Sequence, residues 1–266
     1  SLYSVADSLQ WIIRGSFLIQ NNIMNLRHIF ILPALLTAMA CSDDSPVTPD
    51  TPDTPEGPDI TNSVEKLVSI DAGQTFQTIA GFGASDCWTP AFVGNSWTSH
   101  RAGITELLFS SEIVGGKPKG IGLSQWRVNL GGGSAAQGEA CGIEDKSRRA
   151  ESYLTDDLTY DWTRCEGQRY FMDRAKELGC NNFVLFSNTP PVQYTYNGKG
   201  FSARGGLSNL KPEHYGDFAG YMADVAARYT AEGYHISHIS PVNEPQYNWD
   251  SGQEGSGWTN DEVAAL

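Results

Sequence analysis

The residues best suited to chemistry stand together at Asn243-Glu244-Pro245. Ahead of them runs an apolar segment, Ile236, Ile239 and Val242, at near-alternating spacing, which predicts a strand. Pro245 has no N–H with which to extend a ladder, so Glu244 is expected where that strand ends. In chains built of repeating strand–helix units, the C-terminal ends of the strands are where chemistry is done. A carboxyl group there can give or take a proton, and Tyr234, Tyr247 and Trp249 lie close by in sequence. Glu244 is the candidate general acid/base.

The chain that must position it has 266 residues, 40% of them hydrophobic, enough for one sizeable core. A net charge of −13 argues against nucleic acid or an anionic membrane surface as partner, because phosphates would be repelled. It suits action on a neutral polymer. Seven Trp within an 11% aromatic fraction fit rings that stack on sugar faces, as they fit an ordinary aromatic core.

Residues 24–41, MNLRHIFILPALLTAMAC, have a Met, two basic groups, a short apolar run, small residues and a Cys. That is the layout of an export signal, too short for a spanning helix. Cys41 after Ala38-Met39-Ala40 is the expected lipidation site, and Ser42-Asp43-Asp44 suits an outer-membrane or cell-surface lipoprotein of a Gram-negative bacterium. Contact with a membrane is then expected only through the lipid anchor. Residues 1–23 read as an upstream extension, and 42–61, rich in Pro, Thr and Asp, as a solvated tether. The remaining Cys residues (87, 141, 165 and 180) would meet an oxidising compartment, where three full pairings are open to them. No Cys/His spacing suits a metal, and no metal or cofactor is expected.

Over residues 62–266 the pattern alternates. Val64–Ile70 and Thr75–Ile79 predict short strands about a turn at Asp71-Ala72-Gly73, and Gly81–Asp86 a strand end opening into a Gly-rich loop. A helix over Arg101–Ser111, a strand over Gln125–Leu130 and a helix over Glu166–Leu178 stopped by Gly179 follow. Asn182–Ser187 predicts the next strand, and Pro212 opens a helix with Phe218, Met222, Val225 and Tyr229 on one stripe. After the strand that leads to Glu244, Thr259-Asn260-Asp261-Glu262 is a capping box. Strand then helix, four times over, implies an α/β fold with parallel strands and helices outside. The reading is a (β/α)8 TIM barrel represented by about its first four units, since a whole barrel takes about 250 residues.

Under that arrangement the strand ends bring Asp86, Arg127 with Asn129, Asn188 and Asn243-Glu244 to one mouth, with Trp88, Tyr194, Tyr196 and Trp249 near them. Converging polar groups beside aromatics describe a cleft for a polyhydroxylated ligand. Gly131-Gly132-Gly133-Ser134-Ala135-Ala136 fits a loose dinucleotide pattern, but the polar run after it makes a poor helix to receive a pyrophosphate. His235 and His238, three apart on a strand, point to opposite faces. No G-x-S-x-G elbow occurs.

Five ordered blocks, GFGAS, WRVNLGGGSAAQGEA, SNTPP with NGKG, NLKPEHYGDFAGYM and SPVNEPQYNW with QEGSGWT, resemble glycoside hydrolase family 30, and more narrowly its endo-β-1,6-galactanase-like branch. The resemblance implies a barrel with an attached side β-sandwich, to which the β prelude would belong, and a retaining mechanism on an oligo- or polysaccharide by a monomeric enzyme. It implies that Glu244 is the acid/base, that Asn243 holds the sugar 2-hydroxyl, that Asp86 and Asn188 lie on sugar-binding loops, and that Arg127 sits beneath the catalytic pair. Trp88 and Trp249 are the expected sugar-facing rings. The family's nucleophile, a second Glu late in the barrel, has no counterpart here, so these 266 residues alone are expected to be inactive. Gln193 stands where many relatives carry Trp. Cys141 and Cys165 bracket the long loop after the second barrel strand, and a disulfide between them is expected.

Overall fold

The computed structural model describes Ser69 and residues 71–266. The expected extension at 1–23, export signal with Cys41, tether over 42–61 and, apart from Ser69, strand over Val64–Ile70 lie outside the described residues. Of the described residues, those up to Ala80 and those from Gly81 onward fall into separate units. In the first, the turn forms as expected, with Gln74 N–H donating to Asp71 O at 3.2 Å and Gly73 N–H to Asp71 Oδ1 at 2.9 Å. Thr75–Ile79 is not a strand. A strand needs a neighbour to take its backbone groups, and no ladder partner occurs among the described residues.

The second unit is built on four parallel strands: β1 (Gly83–Ser85), β4 (Gln125–Asn129), β5 (Asn182–Phe186) and β6 (Ile236–Ser240), in the order β1-β4-β5-β6. Between the first two lies a small antiparallel hairpin, β2 (Ile113–Val114) with β3 (Lys117–Pro118). Register pairs Ser85 with Arg127, Asn129 with Phe186, and Phe186 with Ser240, so β4, β5 and β6 end level and β1 stops two residues short of them. The helices are α1 (Thr89–Ser96), α2 (Arg101–Phe109), α3 (Glu166–Glu177), α4 (Tyr215–Ala231) and α5 (Asn260–Ala265).

Alternation along β4 and β5 explains the layering. Trp126, Val128, Phe183 and Leu185 join the core with Phe171 and Met172 of α3 and Phe218 and Val225 of α4. Gln125, Arg127, Asn129 and Phe186 then point to the opposite face. Helix α1 was not foreseen, although Pro90 in its first turn is a start signal. It lies tightly against α3 because glycines meet there: a methyl on Gly94 would come within 2.2 Å of Gly167 O. The expected end of α3 holds, with Gly179 at φ 99°, and α4 likewise stops before a left-handed glycine, Gly233 at φ 84°. The capping box at Thr259 forms in full.

Two details of the key strand differ from expectation. Ile236 packs on the core, but Ile239 is exposed, because three positions apart on a strand means opposite faces and β6 is at the edge of the described sheet. The ladder stops at Ser240, so Glu244 stands in the turn beyond it rather than at the last paired residue.

Cys141 and Cys165 are free thiols, against the expected disulfide, as are Cys87 and Cys180. Cys141 and Cys165 are each buried in separate surroundings. Cys141 Sγ accepts from Ile143 N–H at 3.2 Å, while Cys165 caps α3 at φ 61° within the core. The long loop is pinned instead by Ala135 N–H donating to Ala150 O (2.9 Å) and Ala150 N–H to Ser134 Oγ (3.1 Å).

Candidate active site at the strand ends

Arg127 is the hub. Its position on β4 places the guanidinium on the face turned away from the helices, stacked on the Phe186 ring at 3.3 Å from the centroid. Nη2 donates to Asn243 Oδ1 at 2.7 Å and Nη1 to Ser85 Oγ at 3.4 Å. Burial pulls the Arg127 pKa down, and the neighbouring Cys87, Asp86 and Glu244 oppose that pull. Asn243 is thereby orientated by a charged hydrogen bond, leaving its NH2 for a ligand.

Glu244, the next residue, has an exposed side chain and a left-handed backbone, φ 43°. A non-glycine residue there needs support from its surroundings. Support comes from its own carbonyl, which accepts Tyr247 N–H at 2.9 Å and Trp249 Nε1–H at 3.3 Å. Trp258 N–H closes the turn on Pro245 O at 2.8 Å.

Asp86, expected on a sugar-binding loop, is buried and bonded within the protein. Its side chain is 2% exposed. Oδ1 accepts Asn129 N–H at 2.9 Å and Oδ2 accepts Gln168 Nε2–H at 2.7 Å, while the same Gln168 nitrogen also reaches Asn129 O at 2.8 Å. Asp86 thus ties β1 and β4 to α3. Burial pushes its pKa up to about 7, against the lowering effects of those hydrogen bonds and of Arg127. Burial likewise raises the Cys87 thiol to about 12, which disfavours its thiolate.

Trp249 is also recast. At 4% exposure it offers no ring face to a ligand, because the indole is packed on Gly255 and against Tyr247. The exposed aromatics near the mouth are Tyr247 and Tyr196, the latter with Arg204 over its ring at 3.9 Å. Tyr194 is buried and stacked on His214. Trp88 holds φ 53°, at the turn into α1. Trp88 Nε1, Asn129 Oδ1 and Asn188 Oδ1 are buried without a hydrogen-bond partner among the described residues. Asn188 Nδ2 faces Cys87 Sγ at 3.8 Å. Gln193 donates to Asp156 Oδ1 at 3.0 Å, joining two loops.

Sequence reasoning missed Glu254. This carboxylate is 2% exposed and accepts Gly132 N–H at 2.8 Å and Ser134 N–H at 3.0 Å. The Gly-rich loop that mimicked a phosphate cradle therefore already has its anion. The signal, a Glu among small residues in QEGSG, carries no periodicity that would mark it as buried. No group of three or more His, Cys, Asp or Glu able to hold a metal occurs among the described residues. A groove of about 360 Å³ beside α1, lined in part by Asn95, Lys146, Arg149, Glu151 and Arg164, includes none of the strand-end residues. Lys146 and Arg149 pair with Glu139 and Arg164 with Asp161, while Glu151 accepts Asn95 Nδ2–H at 3.3 Å.

Comparison with known proteins agrees with the sequence blocks. The family described as O-Glycosyl hydrolase family 30 matches residues 65–266. An endo-beta-1,6-galactanase of Hypocrea rufa is 27% identical over 208 residues, which cover 71% of this chain and 42% of that protein. A solved structure of a conserved exported protein from Bacteroides fragilis is 36% identical with a TM-score of 0.69, covering 74% of this chain and 41% of that one. SrfJ from Salmonella typhimurium shares the fold at 19% identity and a TM-score of 0.53, over 71% of this chain and 39% of its own. The chain thus spans about two-fifths of the length of these relatives.

Proposed function

The chain belongs to glycoside hydrolase family 30, and from that premise we propose that it carries the acid/base half of a retaining glycosidase that cleaves a β-linked glycan, with β-1,6-galactan as the first substrate to test. The observation that carries the reading is the Arg127–Asn243–Glu244 cluster: an exposed carboxyl beside an amide fixed by a half-buried guanidinium. The galactanase of Hypocrea rufa supports the choice of substrate. The parallel sheet, helices on one face and strands in sequential order, is what one side of a (β/α)8 barrel looks like, and closure into such a barrel is part of the proposal.

Double displacement needs two carboxyls about 5–5.5 Å apart. Glu244 protonates the leaving oxygen while a second carboxylate attacks the anomeric carbon. Water then completes hydrolysis with Glu244 acting as base. In this reading Asn243, with its NH2 left over from the Arg127 contact, holds the hydroxyl next to the reacting carbon. Among the carboxylates at the strand ends, Asp86 cannot be the nucleophile, since both its oxygens are engaged in a buried brace. We therefore expect these 266 residues alone not to turn substrate over.

Export as a lipoprotein is proposed as well, from the layout of residues 24–41 and the exported relative of Bacteroides fragilis. Incorporation of labelled palmitate that disappears in Cys41→Ala tests it. The catalytic reading is tested with Glu244→Ala in the intact protein on β-1,6-galactan. Expected are a loss of about 10²–10⁴-fold and partial rescue of an activated aryl substrate by azide. Galactan binding with no hydrolysis by the intact wild type would instead make the protein a carbohydrate-binding surface lipoprotein. Turnover of β-glucosides or xylan but not galactan would keep the mechanism and replace the substrate.

A further inference from the structure

Glu254 has a buried carboxylate with no cation beside it among the described residues, held there by neutral donors. Desolvation raises its pKa, and the donors of Ser134 and Gly132 work against that rise. A buried acid kept under such conditions calls for a reason. Its neighbours supply one. The carboxylate joins the loop after β6, to which it belongs, to the loop after β4. The next residue, Gly255, donates its N–H to Gly200 O at 2.8 Å and accepts Ser202 N–H at 3.0 Å. One residue further, Ser256 N–H donates to Asn188 O at 2.8 Å, which brings in the loop after β5. Three strand-end loops thus meet at residues 254–256, two through the Glu254 side chain and the third through the backbone beside it.

The knot reaches the acid/base by contact. A methyl on Gly255 would lie 2.1 Å from the Trp249 ring, so the indole is seated directly on the backbone that Glu254 anchors. Trp249 Nε1–H in turn holds the Glu244 carbonyl at 3.3 Å and so supports the left-handed turn that projects the Glu244 side chain. We propose that Glu254 is a positioning residue, acting through Gly255 and Trp249 on the orientation of Glu244 and through Ser256 on Asn188. This rests on Glu244 being the acid/base.

The proposal is tested with Glu254→Gln in the intact protein. Gln keeps the shape but offers one acceptor oxygen to two N–H groups and turns an NH2 toward one of them. A misplaced acid matters most when the leaving group needs a proton. With aryl β-1,6-galactobiosides of graded leaving-group acidity, kcat/KM for poor leaving groups should fall about 10²-fold. That for the dinitrophenyl glycoside should fall only a few-fold. Glu244→Gln should show the same pattern. Equal losses across the series in Glu254→Gln, measured well below its Tm, overturn the proposal and leave Glu254 a merely structural residue. A flat series in Glu244→Gln instead refutes the acid/base assignment. A second readout needs no activity. In 5-fluorotryptophan-labelled protein, the Trp249 fluorine signal should move in Glu254→Gln, and an unmoved signal also overturns the proposal.

Discussion

Replacing Asp86 by asparagine should change how stability depends on pH. Unfolded, an aspartate gives up its proton near 3.8, whereas burial raises the folded value to about 7. Between these limits the native state holds a proton that the unfolded chain has lost. Stability from this group therefore falls as pH rises from about 4 to about 7, and is level above that. A displacement of about 3 in pH, at about 1.4 kcal/mol for each, amounts to about 4 kcal/mol. The amide introduced by Asp86→Asn would still accept from Asn129 N–H but would face Gln168 Nε2 with a donor, a lost buried hydrogen bond costing about 1–3 kcal/mol at any pH. The variant should thus be less stable than wild type by about 1–3 kcal/mol near pH 4, and equal or more stable by pH 8. Glu254, whose pKa is also raised, is present in both proteins and cancels in the difference. Urea unfolding at about pH 4.5, 6 and 8, extrapolated linearly, gives that difference directly. A difference that stays constant across the three pH values would refute the argument, because it would mean the carboxylate ionises as readily in the fold as outside it.

Arg127→Met keeps an apolar stem over Phe186 but removes the donor to Asn243 Oδ1, so kcat/KM of the intact enzyme should fall about 10²-fold, assayed beside a melting curve. Gly255→Ala forces a methyl into the Trp249 ring and should destabilise by about 1–3 kcal/mol, with a change in tryptophan emission. Thr259→Ala removes the side-chain acceptor of the α5 capping box and should cost about 1 kcal/mol in urea unfolding. Alkylation of the unfolded, unreduced protein should label Cys87, Cys141, Cys165 and Cys180 alike, and protection of Cys141 and Cys165 as a pair would restore the disulfide.

Local patterns account for what could be read in advance. The helices over Arg101–Phe109, Glu166–Glu177 and Tyr215–Ala231 declare themselves by a 3.6-residue stripe, the latter two also by a stop glycine, and the capping box at Thr259 is four consecutive letters. Parallel order follows from strand–helix alternation, without any coordinate. Helix α1 was hidden because Trp88 enters it from a left-handed conformation that no periodicity announces.

Apart from α1 and the small β2–β3 hairpin, the elements over 81–266 and their parallel order were thus legible in the chain, since these depend on neighbours a few residues apart. What each polar side chain does at the strand ends was settled by folding alone. Asp86, Trp249 and Glu254 look in sequence like surface or ligand-facing groups, yet each is buried and bonded to residues 43, 5 and 120–122 positions away. The cost of burying a polar group depends on the partners that long-range folding brings to it. For that reason one carboxylate beyond a strand end can stand exposed while another is locked as a rivet between loops.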